Sequence, residues 1–161
     1  MTTTTSIQIV GLKETLKELN KIEPELRKDF NKRGRNIVQP VVNDAKTNIP
    51  TLPLSGFARS WRKGQLTPWD QAAVKRSIVA RIDTRRGAVA VLKVTMKSAA
   101  GSVFDMAGRR SNNPLATQLN KFGNASRVMW AAYTRHQDTI EKGIQELAND
   151  LTEAVNRRLV R

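Results

Sequence analysis

The chain has no cysteine among its 161 residues, which excludes disulfide bonds, thiolate metal sites and cysteine nucleophiles. It has one histidine, His136, so a metal motif that needs two histidines is impossible. Aromatic residues make up only 5% of the sequence, and this predicts a small, mainly aliphatic core. No apolar run approaches the roughly 20 residues of a membrane span, and the first residues lack the pattern of a signal peptide. We therefore expect a soluble protein, assembled inside the cell, that does not contact a membrane.

Patterns typical of catalysis are also missing. His136 has no sequence context that supports a Ser-His-Asp arrangement, and the acidic residues are scattered rather than clustered as a magnesium site would need. Neither a Walker pattern nor a strand-GxGxxG-helix arrangement is present. The sequence therefore predicts that the protein is not an enzyme and that it binds no metal or cofactor.

Acidic residues are scarce relative to basic ones. The chain contains 14 Asp and Glu against 28 Lys and Arg, which gives a formal net charge of +14 at pH 7. The excess is concentrated between Phe57 and Lys97, where Asp70 and Asp83 are the only acidic residues. A charge of this size indicates an oppositely charged partner. Nucleic acid, a membrane surface and an acidic protein all qualify on charge alone, and of these we expect nucleic acid or protein rather than a membrane.

The last third of the chain shows strong helical periodicity. Apolar residues recur at helical spacing from Trp130 onward, and no proline occurs between Leu115 and Arg161. This predicts an amphipathic helix from about Ser126 to Val160, capped by the Ser126 hydroxyl and roughly 50 Å long. A compact domain of this size cannot cover so long a helix, so we expect a partner to bury part of it. The residues predicted for helix packing or a subunit seam are Trp130, Tyr133, Ile140, Ile144 and Leu147.

The first half of the chain predicts a strand and two helices. A short apolar strand at 7–10 precedes a leucine-spaced helix over 12–22. A second helix follows from Pro24 to Ile49, and we expect it to continue through Pro40 with a kink.

The middle of the chain predicts a hairpin. Apolar and polar residues alternate over 77–83 and 88–97, and 84–87 supplies a turn. The segment 99–114 is expected to hold a short strand or helical turn, and 115–122 a brief helix. The whole pattern predicts one α+β domain over 1–161, with a small antiparallel sheet packed with long helices.

A proline- and glycine-bearing segment around 51–70 predicts a projecting loop. Because tryptophan and arginine are enriched in interface hot spots, we expect this loop to contact a neighbouring protein. The predicted contact residues are Phe57, Arg59, Trp61, Arg62 and Trp69. Arginines also neutralise phosphates, so contact with DNA or with an acidic partner is predicted for Arg76, Arg81, Arg85, Arg86, Arg109 and Arg110.

Several short motifs occur in an order that resembles a family of phage proteins. The run IVGL at 9–12 leads into a leucine-spaced helix, and the next helix ends with Ala45-Lys46 before Pro50. Then follow GFARS at 56–60, VFDMAG at 103–108 and SRVMWAA at 126–132. In this order the chain resembles the small head–tail joining proteins of long-tailed bacteriophages, which include tail-completion, neck and minor tail components. It departs from their usual pattern at Phe57-Ala58, where a polar-leucine pair is more common, and in the length of 61–73.

The resemblance implies a structural virion protein without catalytic activity. Such a subunit would form a homo-oligomeric ring, expected to be a hexamer, that completes the tail and joins it to the DNA-filled head. Its partners would be copies of itself, other neck proteins and tail-tube proteins, with DNA passing through the ring. It would be assembled in the host cytoplasm and reside in the virion, and most of its arginines would face acidic protein.

A second interpretation comes from a different class of protein. The basic middle segment, interleaved with aromatic residues, also suits a nucleic-acid-binding protein that grips phosphates without reading sequence. The two interpretations differ in their response to salt, because binding to duplex DNA weakens steeply as salt concentration rises.

Overall fold

The structure is a computed structural model that describes residues 3–7, 24–59, 68–83, 92–108 and 114–159. Three strands in this part form one sheet: β1 (Thr3–Ile7), β2 (Ile78–Ile82) and β3 (Leu92–Met96). Their order is β1-β3-β2, and β2 and β3 run antiparallel. Just beyond this pair, the backbone N–H of Lys97 donates to the carbonyl of Ser77 at 3.3 Å. The predicted α+β class with a small antiparallel sheet is therefore confirmed.

Two long helices dominate the described part. The helix α1 (Pro24–Thr47) runs through Pro40, as predicted, and the C-terminal helix spans 31 residues from Met129 to Leu159. Three shorter helices lie between them, namely α2 (Gln71–Ser77), α3 (Ala99–Met106) and α4 (Pro114–Leu119). The C-terminal helix is therefore α5, and 3-10 turns occur at Ser55–Ala58 and Asn120–Phe122.

The structure contains one helix that the sequence did not predict, and it changes the type or the bounds of three predicted elements. The sequence indicated no helix at 71–77, but Asp70 caps α2 there by accepting the N–H of Ala73 at 3.0 Å. The segment 99–114 was predicted to hold a short strand or a helical turn. The structure has a helix there, and it is two turns long: α3, whose N-cap is Ser98. The long helix begins at Met129 rather than Ser126. The strand at the start of the chain begins at Thr3, and the predictions for 12–22 and 84–87 lie outside the described residues.

The chain divides into two compact units. The first unit comprises Met1–Thr5, Val41–Val79 and Val94–Arg135. Its core is built from large side chains that are less than 2% exposed, including Phe104, Ile78, Met96 and Met129.

The second unit comprises Ser6–Pro40, Ala80–Lys93 and His136–Arg161. Its core is a cluster of Phe30, Leu147 and Leu151, against which partly buried aliphatic residues pack. The close approach of helices here depends on a small residue, because a Cβ at Gly143 would lie 3.2 Å from Ile37. That the whole chain behaves as a single domain stays a prediction.

Candidate interaction surface

Two segments of the first unit are tied together by Asp105 and Arg127. Asp105 lies in the last turn of α3 and is 0% exposed, and Arg127 precedes α5 and is 8% exposed. Both belong to motifs that carry the phage-protein resemblance, VFDMAG and SRVMWAA. The side chain of each residue bonds to the backbone of the other segment, so the motifs form one hydrogen-bonded network.

The guanidinium of Arg127 binds backbone carbonyls rather than a carboxylate. It donates to the carbonyl of Phe104, to that of Asp105 at 3.2 Å and to that of Ala107 at 3.0 Å. Its Nε donates to the carbonyl of Gly123 at 3.0 Å. The carbonyls at the end of a helix have no partner within that helix, so Arg127 satisfies the C-terminal end of α3. Its burial lowers the pKa of Arg127 from the ordinary value.

The carboxylate of Asp105 caps the beginning of α5. Its Oδ1 accepts the N–H of Val128 at 2.7 Å and that of Met129 at 3.3 Å. Ser126, predicted as the cap, instead donates its hydroxyl to the sulfur of Met106. Burial raises the pKa of Asp105, although the two backbone N–H groups act in the opposite direction. Its second oxygen, Oδ2, has no hydrogen-bond partner among the described residues.

A row of aromatic rings continues from this network. Phe57 meets Trp69, Trp69 meets Phe104, and Phe104 meets Phe122, each edge to face with centroids 5.5–5.6 Å apart. The row begins with a buried ring, because Phe57 is 2% exposed, and ends with one that is 42% exposed at Phe122. The ends of the predicted loop meet here, since Trp69 donates its backbone N–H to Phe57 and its indole N–H to Thr51.

The beginning of α5 carries an aromatic pair, of which one ring is exposed and the other is half-buried. Trp130 is 56% exposed and lies 5.2 Å from the ring of Tyr133, measured between centroids. The other three residues predicted for helix packing, Ile140, Ile144 and Leu147, are buried within the second unit of the chain itself. Of the predicted packing residues, Trp130 is therefore the one most available to a partner.

Basic side chains of the first unit outnumber acidic ones, and its described carboxylates are engaged. Asp44 bonds to Arg135 at 2.8 Å, Asp70 caps α2, and Asp105 caps α5. In the described part of this unit, six basic residues have no carboxylate within ion-pair distance, namely Lys46, Arg59, Lys75, Arg76, Lys97 and Lys121. The unit therefore presents positive charge that its own carboxylates leave uncompensated.

The predicted contact residues fall into three groups. Arg59, Arg76 and Arg81 are exposed, and Trp69 is half-buried in the aromatic row. Phe57 is enclosed by its own chain. The remaining predicted residues, Trp61, Arg62, Arg85, Arg86, Arg109 and Arg110, lie outside the described part of the chain.

The sequence did not reveal the pairing of Asp105 with the start of α5. The one hint in the sequence was that Asp105 and Arg127 fall in successive motifs of the resemblance. Helical or strand periodicity relates only near neighbours, so it cannot indicate contact between residues 22 positions apart.

Gly108, the last residue of VFDMAG, has a φ of 93°, a left-handed conformation that favours glycine.

Within the described ranges, no group of three or more His, Cys, Asp or Glu side chains is arranged to hold a metal ion. The helices of the same ranges include none that is both long and apolar enough to cross a bilayer.

Comparisons with known proteins find no relative. Neither a scan against protein-family models nor searches of curated proteins and of solved structures find a match to the chain. Its function must therefore be inferred from its own residues and contacts.

Proposed function

We propose that this chain is a structural virion protein of the phage neck, where it forms a ring that completes the tail and joins it to the DNA-filled head. The observation that carries the proposal is the network of Asp105 and Arg127. Two motifs that were recognised separately, 103–108 and 126–132, contribute the buried partners of this one network. Contact between the two motifs is expected if they belong to one structural unit, as the resemblance implies, and this supports the proposal.

The exposed features of the chain suit a component that binds other proteins. Trp130 places a large aromatic side chain on the surface, and tryptophan is enriched among residues that contribute most to protein interfaces. The ring, proposed to be a hexamer, would contact further neck proteins and tail-tube proteins, and it would be assembled in the host cytoplasm. The chain would act by binding, without catalysis.

A second function, sequence-independent nucleic-acid binding, is favoured by a specific observation. The basic side chains of the first unit, such as Arg59 and Arg76, have no carboxylate partner in the described part. Unpaired cations on a surface attract phosphates as well as acidic proteins. We place this function second because the exposed Trp130 is a side chain of the type enriched in protein interfaces, whereas nucleic-acid binding is supported by charge alone.

Light scattering of the purified protein tests the two functions. The molar mass is measured at physiological salt with and without short duplex DNA, and particles are imaged by electron microscopy. A ring without DNA, or a monomer that ignores DNA and assembles only on the phage particle, supports the neck protein. Stoichiometric complexes with DNA would overturn the neck function if their binding is strongly salt-dependent. The expected slope of log K, where K is the association constant for DNA, against log salt concentration is about −0.9 per neutralised phosphate.

A further inference from the structure

A cluster of basic side chains lies where α2 ends and β3 ends in the first unit. Lys75 and Arg76 occupy the last turn of α2, and Lys97 follows β3. The backbone hydrogen bond from Lys97 to Ser77 holds these two chain ends side by side. We name Lys75, Arg76 and Lys97 the basic cluster. Arg76 and Lys97 are exposed, and in the described part of the chain none of the three pairs with a carboxylate.

The outward face of α5 has the opposite charge. Between 138 and 157 it exposes five carboxylates but only two basic side chains, Lys142 and Arg157. Asp138 and Glu146 have no ion-pair partner in the described residues. The other three carboxylates contact their own chain, through Gln137, Arg33 and Arg157 respectively. We name this set the acidic face: Asp138, Glu141, Glu146, Asp150 and Glu153.

We propose that the basic cluster of one copy binds the acidic face of α5 in a second copy. Charge complementarity is the reason for proposing a second copy of the chain as the partner. Every described carboxylate of the first unit is engaged locally, whereas the same chain displays unpaired carboxylates on α5. A partner copy therefore supplies the counter-charge that the first unit lacks.

The two surfaces differ, so the contact is head-to-tail. When two copies join, one keeps a free acidic face and the other keeps a free basic cluster, and repeated addition produces a ring if the rotation between copies closes. The inference thus rests on the proposed function and names the surfaces by which the ring would form.

Charge reversal on each surface tests the contact. Arg76→Glu/Lys97→Glu makes the basic cluster acidic, and Asp138→Lys/Glu146→Lys makes the acidic face basic. Each variant alone places like charges opposite one another, and we expect its self-association to weaken by at least about tenfold. An equimolar mixture restores assembly, because every contact between the two variants again joins opposite charges. Light scattering at low and physiological salt gives the mass of each sample.

A matched control separates local charge from net charge. Lys32→Glu/Arg35→Glu replaces two exposed basic residues of the second unit. It changes the net charge by the same amount as Arg76→Glu/Lys97→Glu, and it should assemble like the wild type. Circular dichroism checks that each variant is folded. Wild-type mass in either reversed variant, or no recovery in the mixture, overturns the contact.

The failure of this contact can be told apart from failure of the proposed function. A wild-type chain that stays monomeric at every concentration and salt overturns the contact, but a monomer indifferent to DNA leaves the neck function in place. A salt-sensitive complex with DNA that Arg76→Glu/Lys97→Glu abolishes overturns both, because the basic cluster then binds phosphate.

Discussion

Asp105 and Arg127 show how single residues can join distant parts of a chain without forming an ion pair with each other. Each side chain satisfies backbone groups that a helix end leaves without partners: Arg127 satisfies carbonyls of α3, and Asp105 satisfies N–H groups of α5. Arg127 also lies over the ring of Phe104, with its Cζ 5.5 Å from the centroid. Arg127 therefore contacts both the end of α3 and a ring of the aromatic row.

The raised pKa of Asp105 predicts how stability depends on pH. The carboxyl of Asp105 binds its proton more tightly in the folded state than in the unfolded state, where its pKa has the ordinary value of 3.8. The stability that this group contributes is complete below that value and is lost as pH rises through the raised pKa. Asp105→Asn keeps an oxygen for the two N–H groups and removes the charge. We expect its free energy of unfolding, relative to the wild type, to increase from pH 4 to pH 7.

Urea unfolding at several pH values measures this effect. Asp105→Ala removes the cap as well and should cost about 1–2 kcal/mol throughout the range. Asp70→Asn, at an exposed cap, is the control for a change of one carboxylate. A pH-independent difference between Asp105→Asn and the wild type would show that Asp105 has an ordinary pKa in the folded protein.

At the scale of the elements, α3 packs closely because Gly101 has no side chain. A Cβ at this position would lie 2.6 Å from the sulfur of Met96 and 2.9 Å from Cγ1 of Val74. Met96 ends β3 and Val74 lies in α2, so one glycine allows three elements to approach one another. Both neighbours are buried, at 0% and 1% exposed, and have little space to move.

Gly101→Ala should therefore destabilise the protein by about 1–3 kcal/mol through overpacking. Gly56→Ala is the matched control, because no atom lies within 4 Å of the position its Cβ would occupy. Thermal unfolding of the two variants provides the comparison. Equal melting temperatures would mean that α3 can shift to accept the methyl group.

At the scale of the whole molecule, the net charge of +14 opposes folding through repulsion between like charges. Salt screens this repulsion, with a Debye length near 10 Å at 0.1 M. We expect the monomer to gain about 1 kcal/mol of unfolding free energy between 0.02 and 0.2 M sodium chloride. Urea, which is uncharged, is the suitable denaturant, and a dilute sample keeps association from contributing.

The variant Lys32→Glu/Arg35→Glu tests the origin of this gain. It lowers the net charge by four, from +14 to +10, and should therefore gain less from salt than the wild type. A gain of the same size in both proteins would assign the effect to ion pairs or to specific ion binding rather than to net repulsion.

The sequence predicted the long elements better than the short ones. The apolar stripes of α1 and α5 extend over many turns, so their helical period is unmistakable, and the alternation in 78–82 and 92–96 revealed the strands. The helix α2 has seven residues and depends on the Asp70 cap and on packing of Val74, which periodicity does not detect. The start of α5 was misplaced for a related reason, since its cap comes from Asp105 in another segment.

The candidate surface was predictable only in part. The sequence located the excess of positive charge and the aromatic side chain of Trp130, because composition and helical spacing are local properties. It did not indicate that Phe57 is buried or that Lys97 lies beside the end of α2, because both depend on contacts between distant residues. The roles of Phe57, Arg59 and Trp69 at an interface stay predictions.

The cap that Asp105 places on α5 has a consequence for amide hydrogen exchange. The first N–H groups of a helix usually exchange rapidly with solvent, because they have no partner within the helix and the ends fray. Here the amides of Val128 and Met129 are held by a fully buried carboxylate of α3. Their protons can exchange only when the two segments separate, so the slow exchange of these two amides would report the opening of the whole network.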